Sequence, residues 1–125
     1  MPSEWRVSKR ISYITEMLKN INIDEIILRI YRPGPDSLTG WYRVEASKEQ
    51  YRVFITEFIS KGSIRKYSYI LLKENRPILR YDNAPHYPGI ETHPHHKHVE
   101  NKVEPLQNPS IEDFLRETKD ILEAK

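Results

Sequence analysis

The 125-residue chain has no cysteine, only four glycines and no long apolar run. Without thiols, a disulfide scaffold and every thiolate metal site are excluded. Apolar stretches as short as Ile26-Ile27-Leu28 offer no membrane span, which takes about 20 apolar residues. The N-terminus, Met1-Pro2-Ser3-Glu4-Trp5-Arg6, has no apolar signal core, so a cytoplasmic protein is expected. Excess charge is missing too. Twenty basic residues against 18 acidic ones leave +2, too little by itself to announce a nucleic-acid binder. With 38% apolar and 30% charged residues, the length suits one domain over 1–125. What the chain does have is histidine in one place: all five lie between His86 and His98.

The first segment reads as a helix over 6–20. Val7, Ile11, Ile14, Leu18 and Ile21 step by three and four along one helical face. Ser3 is the expected N-cap and Asn20-Ile21-Asn22 the stop. Arg6, Lys9, Arg10, Glu16 and Lys19 are expected mostly on the solvated face.

From 24 to 82 the grammar is that of strands. Pro33-Gly34-Pro35-Asp36, Lys61-Gly62-Ser63 and Glu74-Asn75 punctuate it as turns. Between Tyr51 and Ile59, Val53, Ile55, Glu57 and Ile59 alternate with Phe54, Thr56 and Phe58. Short links between successive strands predict an antiparallel meander of about five. Residues 83–109 hold five of the nine prolines and read as a functional loop without secondary structure. A second helix, 110–124, opens on Ser110-Ile111-Glu112-Asp113, a capping-box-like start. The expected architecture is therefore α+β: one antiparallel sheet flanked by an N-terminal and a C-terminal helix.

The histidine segment supports three chemistries. The first is acid–base cleavage of RNA, which needs a base for the 2′-hydroxyl, an acid for the leaving oxygen and fixed positive charge. Histidine suits the first two roles because it exchanges protons near neutrality. Six basic residues from Lys61 to Arg80, set against Glu74 alone, supply the charge, with Tyr67, Tyr69 and Tyr81 interleaved as possible stacking rings. The second is a metal site, with His93, His95, His96, His98, Asp82 and Glu91 as candidate ligands for Zn²⁺ or Ni²⁺. In an extended chain His96 and His98 would share one side, and His93 and His95 the other. The third is a rigid loop in which the histidines only pack, Asp82-Asn83 closes an Asx-turn and the tyrosines pack on the sheet.

The block Arg80-Tyr81-Asp82-Asn83-Ala84-Pro85-His86, followed by Pro94-His95-His96-Lys97-His98 and preceded by Tyr67-Ser68-Tyr69, resembles the TumE family of small prokaryotic toxins. The resemblance is specific from 67 to 98 and looser from about 50 to 124. It implies a toxin of a toxin–antitoxin pair, with a cognate antitoxin as partner and RNA or the ribosome as target. Family sequences often carry His where this chain has Tyr87, an acid where it has Gly89 and Phe where it has His93. His93 is thus the histidine the motif does not ask for.

Together these readings predict a metal-independent endoribonuclease needing no cofactor, with His86, His95 and His96 as acid and base. Arg80, Lys97, Tyr69 and Tyr81 would bind substrate, and Asp82, Asn83 and His98 would be orienting residues, with Asp82 or Asn83 directing a histidine. The RelE-type toxins offer an analogy of architecture: a small curved antiparallel sheet with helices on one face. The alternatives are a non-catalytic module binding protein or nucleic acid, and a metal-dependent nuclease or hydrolase. A homodimer is expected if the N-terminal helix is more apolar than one sheet face can cover.

Overall fold

A computed structural model describes residues 4–124. Helix α1 (Val7–Asn20) is followed by seven strands: β1 (Glu25–Pro33), β2 (Gly40–Lys48), β3 (Tyr51–Ser60), β4 (Ser63–Lys73), β5 (Arg76–Asp82), β6 (His96–Val99) and β7 (Lys102–Pro105). Helix α2 (Ile111–Glu123) closes the chain. The strands form a single antiparallel sheet in sequence order, β1 to β7. An α+β meander is what the sequence predicts, but it has seven strands rather than about five. The two extra strands lie inside the segment read as a loop. Their sequences, His-Lys-His-Val and Lys-Val-Glu-Pro, lack the apolar alternation that marks a half-buried strand. They form because β6 pairs with the end of β5, Asp82 opposite His96 and Arg80 opposite His98.

Two hairpins owe their tightness to left-handed residues. Lys61-Gly62 and Glu74-Asn75 all have positive φ, the requirement of a two-residue type I′ turn. At Gly62 a side chain would also strike Glu4, 2.6 Å from where its Cβ would sit. Helix α1 ends at the expected place, in a Schellman motif. Asn22 is left-handed, and the amides of Asn22 and Ile23 donate to the carbonyls of Lys19 and Leu18. Ser3, the expected N-cap, lies outside the described residues. Arg6 occupies the N-cap position without a side-chain cap. In α2 the Ser110 hydroxyl accepts from the Asp113 amide at 3.1 Å, as the capping pattern predicts.

Both helices cover the same face of the sheet. Ile14, Leu18, Ile111, Phe114 and Leu115 bury against Tyr42, Val44, Val53, Ile55, Leu71 and Leu79. Of the apolar stripe of α1, Val7, Ile14 and Leu18 are fully buried, while Ile11 and Ile21 are partly buried. Arg10 departs from expectation, being buried rather than solvated, because it falls on that same stripe. Its guanidinium grips the Glu57 carboxylate through two bonds of 2.9 and 2.8 Å. The Tyr42 and Tyr69 hydroxyls donate to the same carboxylate. Burial works against the Arg10 charge, yet its bonds and attraction to Glu57 hold its pKa above the ordinary value. Among the described residues, no helix covers the opposite face of the sheet. No helix among the described residues is long and apolar enough to cross a membrane.

Candidate functional site

Cross-strand partners in an antiparallel sheet point to the same side, so the pairing register lays out the helix-free face in rows. One row runs Arg43, Thr56, Ser68, Asp82 and His96 across five strands. The next runs Glu45, Phe54, Ile70, Arg80 and His98. A third places Trp41, Phe58 and Lys66 side by side. A groove of about 310 Å³ opens here, with Trp41, Phe58, Lys66, Thr56, Ser68, Arg80 and Asp82 in its lining. Aromatic rings and cations alternate over this face. The Arg43 and Arg52 guanidiniums lie 5.5 and 5.0 Å from the Phe54 ring, and that of Arg32 lies 5.6 Å from Trp41.

At the β5–β6 end of the rows sit Arg80, Asp82, His96 and His98. Asp82 is buried and His96 is only 1% exposed. Asp82 Oδ2 accepts from Arg80 Nε at 2.6 Å, and Oδ1 accepts from the Ala84 amide at 3.0 Å, the Asx-turn the sequence suggests. His96 Nδ1 lies 3.0 Å from the Pro94 carbonyl, which can only accept, so this nitrogen carries the hydrogen. His96 Nε2 is 2.8 Å from Asp82 Oδ1, yet the two are not aligned as a hydrogen bond. His98 Nε2 is buried and has no hydrogen-bond partner among the described residues. The two imidazole centroids are 5.0 Å apart. Burial, then the charges of Arg80 and His96, hold the His98 pKa below its ordinary 6.5. The ring of Tyr87 packs across both, 4.9 Å from His96 and 5.8 Å from His98, with exposed His86 beside it at 6.5 Å.

The other candidate residues are dispersed. His95 falls on the opposite side of β6, where its Nδ1 meets the Tyr67 hydroxyl at 2.8 Å and its ring stacks on Tyr67. Burial, then the charge of His96, lowers its pKa. His93 is exposed in the turn before β6. Lys97 also points to the helix side, Nζ 3.0 Å from Glu117, because alternation sends it away from His96 and His98. Tyr69 and Tyr81, expected to meet substrate, are instead core residues packed on Phe114, with hydroxyls on Glu57 and Glu117. Asn83 bridges backbones, accepting from the Tyr67 amide at 3.1 Å and donating to the Arg65 carbonyl at 2.9 Å.

Sequence reasoning missed the rings that do line the groove, Trp41 and Phe58, and the contact of Tyr87 with both imidazoles. The alternation in β3 contained the first signal, since Phe54, Thr56 and Phe58 had to share a face. Deciding which face the helices cover required the packing of Arg10 on Glu57.

The sequence profile described as Toxin TumE matches residues 12–123. The chain belongs to this toxin family. The match covers nearly the whole chain, from the second turn of α1 to the end of α2, and the rows described above lie within it. Membership in this toxin family implies an antitoxin as partner. No curated protein and no solved structure matches the chain significantly.

Proposed function

We propose that this TumE toxin is an endoribonuclease that takes single-stranded RNA across the helix-free face of its sheet. One observation carries the reading: an unpartnered buried imidazole nitrogen, His98 Nε2, beside Arg80 at the end of a cationic, aromatic face. Unpaired bases stack on rings such as Trp41 and Phe58, while cations such as Arg43 and Lys66 track the backbone. In this reading His98 accepts the proton of a 2′-hydroxyl as that oxygen attacks the adjacent phosphorus. Exposed His86, across the Tyr87 ring, returns a proton to the leaving 5′-oxygen. Arg80 lies against the phosphate, held in direction by Asp82, and His96 serves as a positioning residue. The imidazoles handle the protons directly, as the sequence suggests, but with His98 in place of His95 or His96.

The test uses purified protein and a defined single-stranded RNA. His98→Ala and His86→Ala should each lose cleavage, while His93→Ala and His95→Ala keep it. Full cleavage by both His98→Ala and His86→Ala would exclude the assignment. RNA binding by the wild type without any product would favour a non-catalytic module.

A further inference from the structure

Two buried nitrogens and a carboxylate that lie close together without a hydrogen bond between them present a physical problem. His96 carries its hydrogen on Nδ1, toward the Pro94 carbonyl, so its Nε2 directs a lone pair inward when the ring is neutral. An acceptor, Asp82 Oδ1, lies 2.8 Å from it and out of hydrogen-bond alignment. His98 Nε2 adds a second unpartnered nitrogen in the same buried space. Ligand atoms of all three residues lie within 4.8 Å of one another. Buried polar atoms left this way are costly and call for an explanation.

We infer that Asp82, His96 and His98 bind one divalent transition-metal ion, with Zn²⁺ as the natural occupant. Two imidazole nitrogens with one carboxylate oxygen favour Zn²⁺, Co²⁺ or Ni²⁺ over the harder Mg²⁺ and Ca²⁺, which take oxygen ligands. Bonds of about 2.0–2.1 Å at tetrahedral angles separate ligand atoms by roughly 3.3 Å. The three ligand atoms, within 4.8 Å of one another, are already close to that spacing. The Pro94 carbonyl on His96 Nδ1 is the outer partner that metal-binding imidazoles usually have, and it selects Nε2 as the ligand atom. Arg80 opposes the ion by charge, but it occupies Oδ2 and leaves Oδ1 facing His96. Three protein ligands leave a fourth position for water or another oxygen. The ion would draw on three of the residues expected from the sequence as candidate ligands and not on His93 or His95.

The site stands independently of the proposed cleavage, but it bears on it. A metal ion bound to His98 Nε2 takes the lone pair that the proposed base needs, so Zn²⁺ should inhibit. The experiment titrates chelator-treated full-length protein with Zn²⁺ by calorimetry and with Co²⁺ by visible absorption. One ion per chain is expected, with the intense bands of low-coordinate Co²⁺. His98→Ala and Asp82→Asn should weaken binding more than about 100-fold, beyond what losing an outer partner does. His98→Cys, which restores a ligand, should recover it, and this separates ligation from mere folding. His93→Ala and His95→Ala should bind as the wild type does. No binding by the wild type, or binding unchanged in His98→Ala and Asp82→Asn, would overturn the site and leave the cleavage proposal intact. Conversely, binding accompanied by Zn²⁺-stimulated cleavage would uphold the ion site and overturn direct imidazole catalysis.

Discussion

Glu57 and Asp82 are both buried carboxylates on neighbouring parts of one sheet, but they serve opposite ends. Glu57 faces the helices and is saturated: Arg10 grips both its oxygens, and the Tyr42 and Tyr69 hydroxyls take what remains. Asp82 faces away from the helices and meets Arg80, the Ala84 amide and an imidazole nitrogen that is not aligned to donate. A carboxylate whose lone pairs are all used can only hold the fold together. One that sits beside vacant nitrogen atoms keeps capacity for a proton, a phosphate-bound arginine or a metal ion. Burial alone therefore does not separate structural from functional acids in this protein. The completeness of the hydrogen bonding does.

That contrast can be broken in several places. The largest effect is expected at the open face. His98→Ala should lower the RNA cleavage rate by about 10²–10⁴-fold, the usual worth of a general base, with the denaturation midpoint nearly unchanged. Glu57→Ala should do the reverse. Stranding the buried Arg10 charge should cost about 3–5 kcal/mol of stability in urea unfolding. If Glu57→Ala folds as well as the wild type while His98→Ala does not, the assignment of roles is inverted.

A smaller effect belongs to the groove. Trp41→Ala should weaken single-stranded RNA binding about 5–150-fold, corresponding to about 1–3 kcal/mol for one stacked base. Equal affinity in a fluorescence titration would remove Trp41 from the interface. Acid titration tests the packing of the histidines. The pKa values of His95 and His98 are held below the ordinary 6.5, so the unfolded chain takes up protons first as pH falls. Stability is then full above about 6.5 and declines as the pH drops from there toward the lowered values. His95→Gln should make the decline shallower in metal-free protein. Lys97→Met should change least, leaving cleavage unaltered and costing under about 1 kcal/mol, since its partner Glu117 is part-exposed. A large loss of cleavage in that variant would restore Lys97 to the site.

Much of this was legible along the chain. The steps of three and four in α1, the Ser110 start of α2 and the two tight turns at 61–62 and 74–75 are local matters. Each depends on residues a few positions apart, and each appears where the pattern puts it. The pairing of His96 with His98 on one side was equally local, a consequence of the two-residue period of an extended chain. What was not legible depends on partners far away in sequence. Strands β6 and β7 carry no strong strand signal and are held by pairing to the end of β5. Arg10 reads as a solvated helix residue until Glu57, 47 positions on, is placed against it.

Composition and periodicity thus determined by themselves a single α+β unit, free of thiols, with its histidines gathered beside a basic strand. They also determined which residues share a face, because alternation is a property of the backbone. Tertiary structure alone decided which of the two faces the helices would cover. That choice sent Tyr69, Tyr81 and Lys97 to the helix side and left Trp41, Phe58, Arg80 and the Asp82–His96–His98 triad on the other. The physical reason is that a helix buries the sheet face with more apolar area, and a buried charge is tolerated there only with a partner. In this chain Arg10 and Glu57 meet that condition on one side, and the unpartnered imidazole nitrogens are left on the other.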